Sequence, residues 1–197
     1  VEEFAKYSSV PVINGLTDDS RPCQIMADLL TIKEHFKTLK GLKLVYVGDG
    51  NNVANSLLAG CALVGVDVTI ACPEGYEPME KYFSFAKEAA KKSGAKVEIE
   101  HNPQKAVSGA NIIYTDVWAS MGQETQADER KEIFKSYQVN EELVAKAQSN
   151  VIVLHCLPAH REEEITHNVI EKFADIIFEQ AENRMHAQKA IMAALVK

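Results

Sequence analysis

The chain has 197 residues, 46% of them hydrophobic and 25% charged, with a net charge of -7 at neutral pH. That length holds one full hydrophobic core plus a short piece of a second unit, and the composition is that of a folded globular protein. No apolar run approaches the ~18 residues of a membrane span, and the basic residues are too scattered to neutralise phosphates, so no membrane and no nucleic-acid partner is expected and a small-molecule ligand is favoured.

Residues 1–7 contain no Met, no basic segment and no apolar segment, so they read as the interior of a longer chain rather than a signal peptide. Residues 10–16 have strand character but nothing nearby to pair with, which assigns them to a neighbouring unit. Over 22–39, Ile25, Leu29, Ile32, Phe36 and Leu39 recur at spacings of three and four and predict an amphipathic helix. Pro22 suits its first turn, Arg21 falls just outside its start, and Gln24 lies in the turn whose free N–H groups attract anions.

From 43 to 155, short β-branched runs alternate with helical patterns. Strands are expected at 43–47, 66–71, 97–99, 111–115 and 151–155, with helices at 52–64, 79–93, 103–108 and 140–147 and N-caps at Asn102 and Asn140. This alternation is the signature of an α/β fold with a parallel sheet. The final segment, 181–196, carries Met185, Ile191, Met192, Leu195 and Val196 and is expected to form a closing helix. Cys23, Cys61, Cys72 and Cys156 show no Cys-x-x-Cys spacing, so reduced thiols and a cytoplasmic location are expected.

Three polar sequences follow three of these strands: Gly48-Asp49-Gly50-Asn51-Asn52, residues 116–122 (Asp-Val-Trp-Ala-Ser-Met-Gly), and Cys156-Leu157-Pro158-Ala159-His160-Arg161. Ligands of an open parallel sheet bind beyond the carboxyl ends of its strands, so the three loops share one rim. The first resembles the start of a dinucleotide fingerprint, but Val53 replaces its third glycine and no acid ends the second strand; a tight strand-to-helix turn with Asn52 near the cap explains it equally well. Asp116 is placed either to hold an ammonium group or to act as a cap or solvated loop charge. Cys156 is either a small buried hydrophobe or the lining of a polar pocket whose charges set its protonation. His155, Cys156 and His160 have no second ligand cluster, so no metal is expected. No nucleophile elbow is present.

These motifs resemble the ornithine carbamoyltransferases from residue 10 onward. The matching runs are Arg21-Pro22-Cys23-Gln24 with Ala27-Asp28-Leu29-Leu30-Thr31, the Gly48–Asn52 turn, residues 116–122, His155-Cys156-Leu157-Pro158, and Glu179 with Ala181-Glu182-Asn183-Arg184. The Ser120-Met121-Gly122 loop is similar to the one that separates ornithine enzymes from aspartate carbamoyltransferases. The resemblance implies a Rossmann-like open, mainly parallel sheet with helices on both faces. It implies transfer of a carbamoyl group from carbamoyl phosphate to L-ornithine without a metal or other cofactor.

On that resemblance Asn52, Asp116, Ser120 and Met121 bind ornithine, and Arg21, Gln24, Cys156, Leu157 and Arg184 face carbamoyl phosphate. Cys156 and Asp116 orient the attacking amine, and Arg184 stabilises charge at the carbonyl oxygen or phosphate. Two departures stand out. The family's Ser-Thr-Arg-Thr-Arg phosphate loop is nowhere in the sequence, and Arg21 occupies the place of a His in His-Pro-x-Gln, a longer and permanently charged donor. The implied division is a remnant of the carbamoyl-phosphate domain at 1–20, a linker helix at 21–40, the ornithine domain at 41–180 and a C-terminal helix at 181–197 packing toward the rest of the first domain. The family's trimers form mainly through that domain, which implies a homotrimer for the full-length enzyme and a monomer for this chain. A transferase for another amine, such as putrescine, a dinucleotide-binding module and a non-catalytic binding module are the competing readings.

Overall fold

The computed structural model describes residues 1–119 and 127–196. Its strands are β1 (Lys43–Val47), β2 (Asp67–Ala71), β3 (Val97–Glu100), β4 (Ile112–Thr115) and β5 (Ile152–His155). They form one sheet in the order β3-β2-β1-β4-β5, and every pairing is parallel. The helices among the described residues are α1 (Glu2–Tyr7), α2 (Pro22–Phe36), α3 (Asn52–Val64), α4 (Glu80–Ser93), α5 (Pro103–Ala106), α6 (Ala127–Phe134), α7 (Glu141–Val144), α8 (His167–Lys172) and α9 (Ala174–Leu195).

Helices cover both faces, as expected. Leu44 and Tyr46 of β1 join a core with α2, α3, α4 and α9, whereas Val45 and Val47 join a second core with α5, α6, α7 and α8. Alternate side chains of a strand point to opposite faces, so double coverage makes most positions of the central strands apolar. This is why the strands were legible as continuous β-branched runs.

Boundaries moved where capping decided them. Asn102 Oδ1 accepts from Lys105 N at 3.0 Å and Asn140 Oδ1 from Leu143 N at 2.9 Å, so both expected caps are present. Pro22 opens α2 with Arg21 at its cap position. That helix stops at Phe36 rather than 39, because Lys37 adopts a left-handed φ of 62° and turns its N–H back to Lys33 O. Residues 10–16 form no strand and are corrected to irregular chain. The closing helix starts at Ala174, seven residues before the expected 181. Exposed Phe178, Met185, Met192 and Leu195 blur its amphipathic pattern. The sequence reading did not anticipate α1, α6 or α8.

Candidate active site

The strand order reverses direction between β1 and β4, which is where an open parallel sheet splays its loops and leaves a crevice. The loops after β1, β4 and β5 therefore lie side by side. Gly48 starts the first with a φ of 147°, and Asn51 then caps α3, its Oδ1 accepting from Val53 N at 2.9 Å and Ala54 N at 3.2 Å. Gly50 donates to Tyr76 O at 2.8 Å, and a Cβ at Gly50 would lie 2.3 Å from the carbonyl carbon of Glu77. The close approach that glycine permits here is thus to the chain's own backbone, not to a dinucleotide pyrophosphate.

Asp116 follows β4 and is 7% exposed. Its Oδ2 accepts from Asn51 Nδ2 at 2.8 Å; its Oδ1 accepts from Val117 N at 2.9 Å and from the Cys156 thiol at 3.0 Å. One carboxylate thus ties together the three loops. Burial pushes the Cys156 thiol well above its usual range, the Asp116 charge and hydrogen bond push it further, and the Arg21 guanidinium offsets part of the rise. Cys156 is a thiol donor here rather than a thiolate.

The loop after β5 is held from beneath. His155 Nδ1 accepts from Leu157 N at 2.9 Å, which leaves Nε2 carrying the proton that faces Glu164 Oε1 at 3.0 Å. The same Glu164 oxygen accepts from His160 N at 2.6 Å. Leu157 has a φ of 52°, and the Leu157–Pro158 bond is cis. His155 is thus committed to Glu164 and Cys156 to Asp116. A separate group, His160, Glu163 and Glu164, has its ligand atoms within 4.8 Å of one another. There Glu164 is committed to His155 and Glu163 pairs with Lys131 at 2.9 Å.

A buried polar network joins α2 to α9. Gln24 Nε2 donates to Asp28 Oδ1 at 2.8 Å, Gln180 Nε2 reaches the same oxygen at 2.6 Å, and Arg184 Nη1 donates to Gln24 Oε1 at 2.7 Å. Gln180 Oε1 accepts from His155 N at 3.0 Å, which links this network to the Cys156 loop. Arg21 donates its backbone N–H to Ser56 Oγ at 2.7 Å. The Nε atoms of Arg21 and Arg184 are buried without a hydrogen-bond partner among the described residues.

The structure thus brings together Arg21, Gln24, Asp116, Cys156, Leu157 and Arg184 of the expected set. Asn52 lies next to the cap of α3, as expected; the capping side chain is that of Asn51, and Asn51 also holds Asp116. Asn52 Nδ2 instead donates to Thr17 O at 2.7 Å, tethering the segment before α2. Asp116 is a bridge between loops, neither a helix cap nor a solvated charge. Ser120 and Met121 lie outside the described residues. A cleft of about 660 Å³ opens beside Asn51, lined among others by Thr17, Asp49, Asn52, Tyr76 and Arg130. Sequence reasoning missed Asp28, Gln180 and the buried ion pair between Arg130 and Asp49. A signal existed for the first two: Gln24 and Asp28, and likewise Gln180 and Arg184, are four apart on a helix and so share a face.

Comparison with known proteins agrees with this geometry. The family model described as aspartate/ornithine carbamoyltransferase, Asp/Orn binding domain, matches residues 40–195, and the carbamoyl-P binding domain model of the same family matches residues 1–34. The chain belongs to the aspartate/ornithine carbamoyltransferase family. Arg21 and Gln24 fall within the carbamoyl-P match, which thereby takes in most of α2. Among relatives, the chain is 55% identical over 196 residues to the ornithine carbamoyltransferase of Pyrococcus abyssi and 56% identical over 196 residues to that of Nostoc punctiforme. It covers 62% of the first and 64% of the second, and all of itself is covered in both alignments. The solved ornithine carbamoyltransferase of Pyrococcus furiosus superposes with a TM-score of 0.93 at 55% identity, over 99% of this chain and 62% of that one. The anabolic enzyme of Campylobacter jejuni superposes at 0.94 with 36% identity, over 98% of this chain and 64% of that one.

Proposed function

We propose that this chain is the ornithine-binding part of an ornithine carbamoyltransferase, together with the end of its carbamoyl-phosphate-binding part. The reaction is attack of the δ-amine of L-ornithine on the carbonyl carbon of carbamoyl phosphate, giving L-citrulline and phosphate. The observation that carries the reading is the Asp116 carboxylate, which joins the Gly48–Asn52 turn to Cys156 at the point where the sheet changes direction.

In this reading Asp116 receives an ammonium group of ornithine and, with Cys156, aligns the attacking amine. Asn52, Ser120 and Met121 hold the amino-acid head. The nucleophile must be a neutral amine, and a buried site that disfavours charge while fixing the amine near the carbonyl supplies both needs. Gln24 and Leu157 face the carbamoyl group, and Arg21 and Arg184 meet the charge that grows on its oxygen and on the departing phosphate. The intact Ser120-Met121-Gly122 loop favours ornithine over putrescine, which lacks the α-amino and carboxylate groups.

Calorimetric titration with L-ornithine tests this reading. Weak binding that is lost in Asp116→Ala, with no heat from putrescine, is the expected result; equal binding by both variants removes Asp116 from the site. The 197-residue chain, which carries no Ser-Thr-Arg-Thr-Arg segment, is expected to form no citrulline on its own.

A further inference from the structure

Asp28 has no role in the chemistry outlined above, yet it is fully buried and lies directly beneath Gln24. We propose that Asp28 is a positioning residue that fixes the sense of the Gln24 amide, holding its –NH2 group inward and presenting its carbonyl oxygen beside Arg184. The bearing of this on carbamoyl transfer rests on the reading above; the positioning itself rests on geometry alone.

A glutamine amide has two ends of opposite hydrogen-bonding character and nearly the same shape, so only its neighbours decide which end points where. Gln24 and Asp28 are one helical turn apart on α2, and Nε2 donates to Asp28 Oδ1 at 2.8 Å. At the other end Arg184, which can only donate, meets Oε1 at 2.7 Å. Turning the amide over would set –NH2 against a guanidinium and the carbonyl oxygen against a carboxylate, losing both bonds at a buried position. Asp28 is itself held in place, since Gln180 donates to the same oxygen at 2.6 Å while Gln180 Oε1 accepts from His155 N at 3.0 Å. Burial raises the Asp28 carboxyl to about 6, against the pull of these hydrogen bonds and of the Arg184 charge. It is therefore mainly ionised at neutral pH, and an ionised carboxylate only accepts, which lets it discriminate between the two ends of an amide where a hydroxyl would not.

The consequence is a specific pairing at the site. The free lone pair of Gln24 Oε1 lies next to the donors of Arg184, so an acceptor and a donor stand side by side. That arrangement complements a group with an –NH2 beside a C=O, as in a carbamoyl or carboxamide, and disfavours a carboxylate or ester, which has no N–H to donate.

The Gln24 side-chain amide of the 197-residue chain, assigned in ¹H–¹⁵N spectra by its loss in Gln24→Glu, reports the positioning directly. In Asp28→Leu, of similar size but without an acceptor, the resonance is expected to move toward that of a solvated amide and its solvent exchange to speed up by about tenfold. Asp28→Asn keeps an oxygen at that position and is expected to hold the resonance near its wild-type place. If Asp28→Leu does not fold, Asp28→Ala serves the same purpose. A folded Leu or Ala variant whose Gln24 amide is unchanged in position and exchange overturns the proposal. Because no substrate enters this measurement, it succeeds or fails independently of the ornithine titration.

Discussion

The thiol of Cys156 donates to Asp116 Oδ1 across 3.0 Å, although the two residues are 40 positions apart in the chain. Burial raises the thiol and the carboxylate raises it further, while the thiol shares Oδ1 with the Val117 N–H. Removing the Asp116 charge is therefore expected to bring the Cys156 thiol down toward the ordinary range. Peptide-resolved alkylation by iodoacetamide at pH 8 should label Cys156 faster in Asp116→Asn than in wild type, while Cys61, which is fully buried elsewhere, keeps its rate.

Asp28 makes stability depend on pH in a defined direction. Its carboxyl is raised from the usual 3.8 to about 6 in the folded protein, chiefly by burial. Between these values the folded state binds more protons than the unfolded one, so this contribution is complete below about pH 4 and is lost as pH rises through 6. The shift corresponds to about 3 kcal/mol. Urea unfolding of wild type and Asp28→Asn from pH 4 to 7 should show a difference in stability that grows with pH in favour of Asn. A difference independent of pH would contradict the shift.

Arg130 lies 5% exposed between Asp49 and the carbonyl oxygen of Trp118, and its guanidinium sits 5.1 Å from the Tyr76 ring centroid and 5.2 Å from that of Phe134. Burial raises the Asp49 carboxyl, and the Arg130 charge opposes that rise. Truncating Arg130 leaves a buried carboxylate without its counter-ion, so Arg130→Ala is expected to cost about 3–5 kcal/mol in denaturant unfolding. Asp49→Asn in the same background should recover part of the loss, because the uncompensated charge is then gone.

Gly50 has backbone at its Cβ position, with Glu77 C and Pro78 N each 2.3 Å away. Since backbone cannot rotate aside as a side chain can, Gly50→Ala is expected to destabilise the chain by about 1–3 kcal/mol. It should also shift the Asn51 side-chain amide resonance, because the displaced turn carries the cap that holds Asp116.

Local order along the chain determined the layered α/β architecture. Strands buried on both faces are largely apolar, and caps such as Asn102 and Asn140 act over three residues, so both are written in short stretches of sequence. The three loops at the rim were legible for the same reason, since the C-terminal end of a strand follows from where its apolar run stops. Which side chain meets which was decided by tertiary structure. Asn51 and Asn52 are adjacent and chemically identical, yet one caps α3 and holds Asp116 while the other reaches back to Thr17, because successive residues at a helix start face in different directions. Sequence alone assigned Asp28 no role; α9 closes over α2 and brings Gln180, 152 positions away, to its carboxylate. Burial set its charge, its partners and its role, and burial exists only once distant segments have packed.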